Sequence, residues 1–330
     1  MKLSVIYLTR HCPRHCSYCA IRDTLKPQEE LQMPEWKHVF QILKTIRIDF
    51  NLILGNEPWL LGENLLPILH STDVPYALYT AGIPSLFKKY HLSFFGYNQI
   101  KNFSIGIDYP LGLDLVIKDD SYTKAMDAWE ALQYVRKFYP WVETHATITV
   151  HKLNYQYLPQ LVRQLQNLNI NININFIHWN NGGGFDFFPS FKCINRLMFS
   201  ENDYSELQKI LDEVLQNIEF IQNSQMLKLP FPELLGMKWH CQGNPYGGPT
   251  VDADGSLRVC GYRKGIETSK FSIFDLPSKT KEWEAAVKED ASHCPGCSWS
   301  CSWMYHYWER NNPEQGKQIF INHNKENKCQ

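Results

Sequence analysis

The stretch Cys12-Pro13-Arg14-His15-Cys16-Ser17-Tyr18-Cys19 comes directly after the first apolar run of the chain, residues 3–8. Its C-x3-C-x2-C spacing lets one short loop present three thiolates to three irons of a [4Fe–4S] cluster. The fourth iron is then left open to another molecule. Cysteines this close converge on soft metals far more readily than they pair with one another. A zinc knuckle short of its fourth ligand is the other reading of the same residues.

Outward from this loop, the chain alternates strand-like and helix-like segments as far as about residue 180. Strand patterns occupy residues 3–8, 52–54, 76–79, 103–107, 144–150 and 170–174, the last with Ile170, Ile172 and Ile174 alternating with asparagines. Between them lie helical patterns. One opens at Pro34 with Trp36, Val39, Phe40, Leu43 and Ile46 on one face, one begins near Ser121, and one carries Leu158, Leu161, Val162 and Leu165. Repeated strand–helix units imply a mostly parallel sheet with right-handed crossovers, about six strands in all. Reactive groups are then expected where strands end.

The strand ends carry recognisable punctuation. Gly55-Asn56-Glu57-Pro58 closes the second strand; small residues there allow a ligand to come close, and Glu57 can accept a charge-assisted hydrogen bond from an ammonium group. Asp108, just before Tyr109-Pro110, suits ribose hydroxyls or simply a turn. Thr147 and Thr149 share one face of the fifth strand, where threonine is also a good strand former. His178 precedes Trp179-Asn180-Asn181 and the run Gly182-Gly183-Gly184, which reads as a substrate-facing loop or as ordinary structure.

Beyond the glycines a helix is expected over residues 201–220, followed by a proline-broken linker at Leu229-Pro230-Phe231-Pro232. Then come Cys241, Cys260, Cys294, Cys297, Cys301 and Cys329. Asp254-Gly255 between strand-like runs predicts a hairpin with a cysteine on each side. With Cys294-Pro295-Gly296-Cys297 and Cys301 it forms a candidate second cluster site, for which zinc is the alternative occupant. Cys193, in an apolar stretch, and the terminal Cys329 read as bystanders.

The cysteine loop, with Tyr18 before its third cysteine and Gly55–Pro58 one strand–helix unit later, resembles the signature of the radical S-adenosylmethionine (SAM) superfamily. That resemblance implies an α/β fold with a partial (β/α)6 barrel, a full eight-stranded barrel being the alternative. It implies a [4Fe–4S] cluster on Cys12, Cys16 and Cys19 and SAM held at Gly55, Asn56, Glu57 and Pro58. Asn56 replaces the second glycine of the family's GGEP-like motif. Tyr18, Asp108, Thr149 and His178 are the further cofactor-binding candidates. The C-terminal cysteines resemble the SPASM/twitch extensions of the superfamily. The one-cluster twitch form is the better match, since two auxiliary clusters need a longer cysteine array. It would use Cys241, Cys260 and two of Cys294, Cys297 and Cys301, with Cys301 the candidate hydrogen-atom donor. The expected division is a barrel over residues 1–225 and an auxiliary-cluster domain over 226–330.

The implied reaction is reductive cleavage of SAM to a 5′-deoxyadenosyl radical, which abstracts hydrogen from a substrate C–H bond, with flavodoxin or ferredoxin as the external electron donor. The substrate is a ribosomally made peptide, undergoing cross-linking or epimerisation, or a small metabolite undergoing oxidation. The cysteine loop begins almost at once, so no leader-binding module is expected before it, which favours the peptide less. Trp299, Trp303, Tyr305, Tyr307 and Trp308 would line a binding surface or shield a cluster. A non-catalytic iron–sulfur electron-transfer or scaffold protein is the alternative from another class. A net charge of −1 over 330 residues gives no reason to expect nucleic acid. No signal-peptide pattern or membrane-length apolar run is expected. Ten cysteines without a secretory signal suit a reducing cytoplasm.

Overall fold

The computed structural model describes residues 1–16, 18–19, 27–83, 89, 99–113, 120–177, 196–235, 240–241, 247–261, 263–294, 296 and 300–311. Short runs rich in Val, Ile, Leu and aromatics form β1 (Leu3–Tyr7), β2 (Phe50–Leu54), β3 (Tyr76–Thr80), β4 (Ile100–Gly106), β5 (Glu143–Val150) and β6 (Asn171–Phe176). They lie in one sheet in the order β6-β5-β4-β3-β2-β1-β7-β8, and each neighbouring pair from β1 to β6 is parallel. The six expected strands are therefore those of an open, partial barrel. Among the described residues the eight-stranded closed barrel is not formed, because the sheet has two distinct edges, β6 and β8.

Helices cover the outer face. The first, α1 (Met33–Thr45), starts with Pro34 in its first turn, and the Glu35 carboxylate accepts from the Gln32 N–H at 2.7 Å. It buries Trp36, Val39, Phe40 and Leu43 as their spacing predicts. α2 (Leu65–Leu69), α3 (Asp120–Phe138), α4 (Leu158–Gln166) and α5 (Tyr204–Val214) follow. Ile6, Ile53, Leu78, Phe103, Ile105, Ile148, Ile172 and Ile174 meet these helices in the main core. The stretch expected as one helix over 201–220 is α-helical only from Tyr204 to Val214, flanked by tighter 3-10 turns. The expected linker instead leads into a helical turn. After α6 (Ser224–Leu227), α7 (Phe231–Leu234) carries its proline in the first turn, where no N–H partner is needed, and buries Phe231 and Leu234.

Because side chains alternate along a strand, the opposite residues line the barrel interior. On β1–β3 they are apolar: Leu3, Val5, Tyr7, Phe50, Leu52 and Ala77. On β4–β6 the same face is polar, with Asn102, Ser104, Thr147, Asn173 and Asn175 at matching register. The final helices are α8 (Leu276–Ser292) and α9 (Ser300–Asn311). Tyr305 of α9 enters the inner apolar cluster and donates to the Met1 carbonyl at 3.0 Å.

The hairpin predicted at Asp254-Gly255 is present. β7 (Gly247–Val251) and β8 (Leu257–Arg258) pair antiparallel, and Gly255 takes φ 79°, a conformation natural to glycine. β7 also pairs in parallel with β1, so the sheet runs without a break into the C-terminal region. This contact needs Gly248, where a Cβ would lie 2.3 Å from the Leu3 carbonyl oxygen.

Candidate functional site

Parallel strands point their C-terminal ends the same way, which brings the cysteine loop after β1 beside the turn after β2. The pairing of these two strands continues past their ends. Asn56 N–H donates to the Thr9 carbonyl at 3.1 Å, and Glu57 N–H donates to the His11 carbonyl at 3.0 Å. The Asn56 side chain donates to the Arg10 carbonyl, so the residue departing from the family motif ties this turn to the loop that carries the cysteines.

Within the loop, Arg14 N–H donates to Cys12 Sγ at 3.4 Å and Cys19 N–H to the Cys16 carbonyl at 3.0 Å. Cys16 is buried, and Cys12 and Cys19 are half-buried. Burial pushes the Cys12 thiol up to about 12; Glu57, Cys19 and Cys16 add to the rise, and the Arg14 N–H opposes it. The three thiols and Glu57 therefore share one neighbourhood. Ionising Cys12 there is unfavourable unless a cationic group lies beside it, and three neighbouring cysteines are a donor set that fits an iron–sulfur cluster.

Glu57 is completely buried, and burial raises its carboxyl to about 7 against several hydrogen bonds that favour the ion. Thr80 Oγ1 lies 2.8 Å and 3.0 Å from its two oxygens, Trp59 N–H donates at 3.2 Å and Ala81 N–H at 3.0 Å. The threonine has one proton to give. Among the described residues, three donated protons stand against about four lone-pair positions, which leaves the carboxylate room for one more donor.

Two residues of α3 anchor the cysteine loop, and neither was singled out from sequence. Lys124 Nζ lies 2.6 Å from Asp108 Oδ2 and 2.5 Å from Tyr18 Oη, and Tyr18 Oη donates to the same carboxylate. Asp127 pairs with Arg14 one turn further along. Burial opposes the Lys124 charge, but Asp108 and Cys16 outweigh it and raise the pKa. Thr149 N–H donates to Asp108 Oδ1 at 2.8 Å. Tyr18, Asp108 and Thr149 are thus joined, with the Asp108 carboxylate between the loop, α3 and β5. A single lysine at a buried helix position leaves no periodic or motif signal.

Below this cluster, Ser104 and Thr147 hydroxyls are 3.0 Å apart. Among the described residues, the buried Oδ1 atoms of Asn173 and Asn175 have no hydrogen-bond donor. A buried carbonyl oxygen in that state favours any ligand that brings an N–H or O–H. The alternating asparagines were the sequence signal for this polar wall.

At the other cysteine set, burial pushes the Cys241 thiol up to about 12, and Cys260 and Cys294 add to the rise. The Asp290 carboxylate holds the loop between them. It accepts from the N–H groups of Ile266 at 3.0 Å, Glu267 at 3.1 Å and Thr268 at 2.7 Å, and from the Thr268 hydroxyl at 2.7 Å. Among the described residues, no three His, Cys, Asp or Glu side chains form a site for one metal ion. His178, Cys297 and the side chain of Cys301 lie outside the described residues, as do Trp299, Cys193 and Cys329.

No protein-family model matches the chain, and no curated protein matches it. Solved structures do. SuiB from Streptococcus suis superposes with a TM-score of 0.60 at 12% identity, covering 87% of this chain and 66% of SuiB. The anSMEcpe enzyme with bound AdoMet superposes with a TM-score of 0.57 at 16% identity, covering 90% of this chain and 88% of that one. Both are radical SAM enzymes. The fold is the radical SAM fold. Within this fold the cysteine loop, the Gly55–Pro58 turn and Asp108 all stand at the same end of the parallel strands. The superposition with SuiB bound to its precursor peptide SuiA, at 12% identity and a TM-score of 0.57, likewise concerns the fold.

Proposed function

We propose that the chain is a radical SAM enzyme that modifies a peptide. The observation that carries this is the junction of the cysteine loop with the Gly55–Pro58 turn, which puts Glu57 beside Cys12. Cys12, Cys16 and Cys19 would hold the [4Fe–4S] cluster, and Glu57 would accept the SAM ammonium at its remaining acceptor position. When bound, the cluster supplies the electron that splits SAM to a 5′-deoxyadenosyl radical able to take hydrogen from a substrate C–H bond. The protein's part is to orient and to exclude water. Asp108 and Lys124 fix the loop through Tyr18, and Asn173 and Asn175 offer acceptors to substrate N–H groups within the barrel.

Residues 226–330 would form the auxiliary unit, with Cys241, Cys260 and two of Cys294, Cys297 and Cys301 holding a second cluster. A peptide substrate is supported by the similar structures crystallised with precursor peptide SuiA and with Cp18Cys peptide. Flavodoxin or ferredoxin would supply electrons. Among the described residues no helix is long and apolar enough to cross a membrane.

The test is anaerobic reconstitution with dithionite and SAM, followed by measurement of 5′-deoxyadenosine. Its formation is expected in the parent protein. Iron binding without any SAM cleavage would point instead to an electron-transfer or scaffold protein.

A further inference from the structure

A lysine is seldom buried unless a partner holds it, and Lys124 of α3 is buried. It passes the end of β4 at Gly106, where a Cβ would lie 3.1 Å from its Nζ. The ammonium donates to Asp108 Oδ2 at 2.6 Å and to Tyr18 Oη at 2.5 Å, and lies 5.3 Å from the Tyr18 ring centroid. Tyr18 falls between Cys16 and Cys19 in the chain, and the Cys19 N–H donates to the Cys16 carbonyl at 3.0 Å. Burial works against the lysine's charge, while Asp108, Cys16 and Cys19 favour it.

The tie between loop and sheet does not by itself call for a cation. Tyr18 Oη donates to Asp108 Oδ2, and Thr149 N–H donates to Oδ1 at 2.8 Å, so a hydroxyl and a backbone amide already hold this carboxylate. A buried ion pair stabilises little beyond what an apolar contact would, because desolvation offsets most of its attraction. What the lysine adds is charge. Asp108 alone would be a buried anion beside a loop whose cysteines become thiolates when metal is bound. Such an anion opposes any further negative charge there, and the ammonium cancels its field at the source.

We propose that Lys124 is a positioning residue that acts through Asp108 and keeps the cluster of the cysteine loop reducible, by cancelling the carboxylate beside Cys16 and Cys19. Reduction brings one electron from the external donor and one negative charge to the cluster, and no bond forms or breaks. With its anion cancelled, the site has a higher reduction potential than a bare Asp108 would allow. This rests on the proposed function, because it requires a cluster on Cys12, Cys16 and Cys19.

Redox titration of the anaerobically reconstituted full chain with dithionite, read by electron paramagnetic resonance, tests it. The signal that disappears when Cys12, Cys16 and Cys19 are replaced together with alanine belongs to this loop. If no signal depends on those cysteines, the proposed function and the role of Lys124 both fall. Lys124→Gln should shift that signal's potential down, and Asp108→Asn should shift it up. The double variant should return it to near the parent value, whereas damage to the loop would accumulate. If Lys124→Gln binds no iron, Asp108→Asn against the parent decides. Single variants that both move the potential the same way, or not at all, would overturn the role of Lys124 and leave the cluster assignment standing.

Discussion

Glu57 has the most exacting environment of any single residue in the site. Its carboxyl is raised to about 7 by burial, so ionisation opposes folding. In the ligand-free protein its contribution to stability falls as pH rises from the ordinary 4.5 to about 7 and is level above that. Binding an ammonium has the opposite preference, since the ionised form is the better acceptor. SAM affinity is therefore expected to fall as pH drops below about 7, by up to about tenfold per pH unit. Glu57→Gln should flatten this dependence, and Glu57→Ala should weaken SAM binding by about 1.5–3 kcal/mol. Calorimetric titration across the pH range checks both, and unchanged affinity in Glu57→Ala would remove the residue from the site.

Lys124 gives the residue scale its second test. It faces Asp108 and Tyr18 from α3, and Lys124→Met leaves a buried carboxylate short of its cation. A loss of about 3 kcal/mol is expected, measured by denaturant unfolding of the metal-free protein. Cluster loading should suffer as well, because the same lysine orients the cysteine loop. Asp108 and Tyr18 were legible as strand-end and loop residues. Their joining by Lys124 was not, because a helix pattern reports which face is apolar and says nothing about one long cation reaching past it.

Among the elements, β7 does the most to unite the chain. It was legible as one arm of a hairpin, from Asp254-Gly255 and the flanking apolar residues. Its parallel pairing with β1 was not, since partners more than 240 residues apart leave no local pattern. Gly248→Ala places a methyl group against the Leu3 carbonyl and should open this pairing. Faster hydrogen exchange at β1 and β7, with β4–β6 unchanged, is the expected result. Equal exchange everywhere would show that the strand shifts to accommodate the methyl. Asp290 does for the loop between Cys260 and Cys294 what β7 does for the sheet. Its pKa is lowered because the Thr268 and Glu267 hydrogen bonds outweigh burial, so its stabilisation is present above about pH 4 and is lost on acidification below that. Asp290→Ala is expected to cost on the order of 3 kcal/mol and to lower iron retention at the C-terminal site, measured by unfolding and iron assay.

For the whole molecule, the two cysteine sets should be separable. Replacing Cys12, Cys16 and Cys19 together with alanine should abolish 5′-deoxyadenosine formation and leave about half of an expected total near eight irons per chain. Complete loss of iron would argue against the second cluster. Cys241→Ala should cost product formation more than uncoupled SAM cleavage, because the radical arises at the other set.

The order of strands and helices and the strand-end position of the cysteine loop, the Gly55–Pro58 turn and Asp108 were determined by sequence alone. Each depends on neighbours along the chain: period-two and period-3.6 burial, turn residues, and spacings of a few residues. Tertiary structure alone decided that the inner wall is apolar on β1–β3 and polar on β4–β6, and that Tyr305 enters the barrel. It also decided that one buried carboxylate, Asp252, accepts from both Arg10 and Arg258, residues 248 positions apart. Those features depend on which distant segments meet. That is a matter of burial and charge balance summed over the folded chain, which no local spacing records.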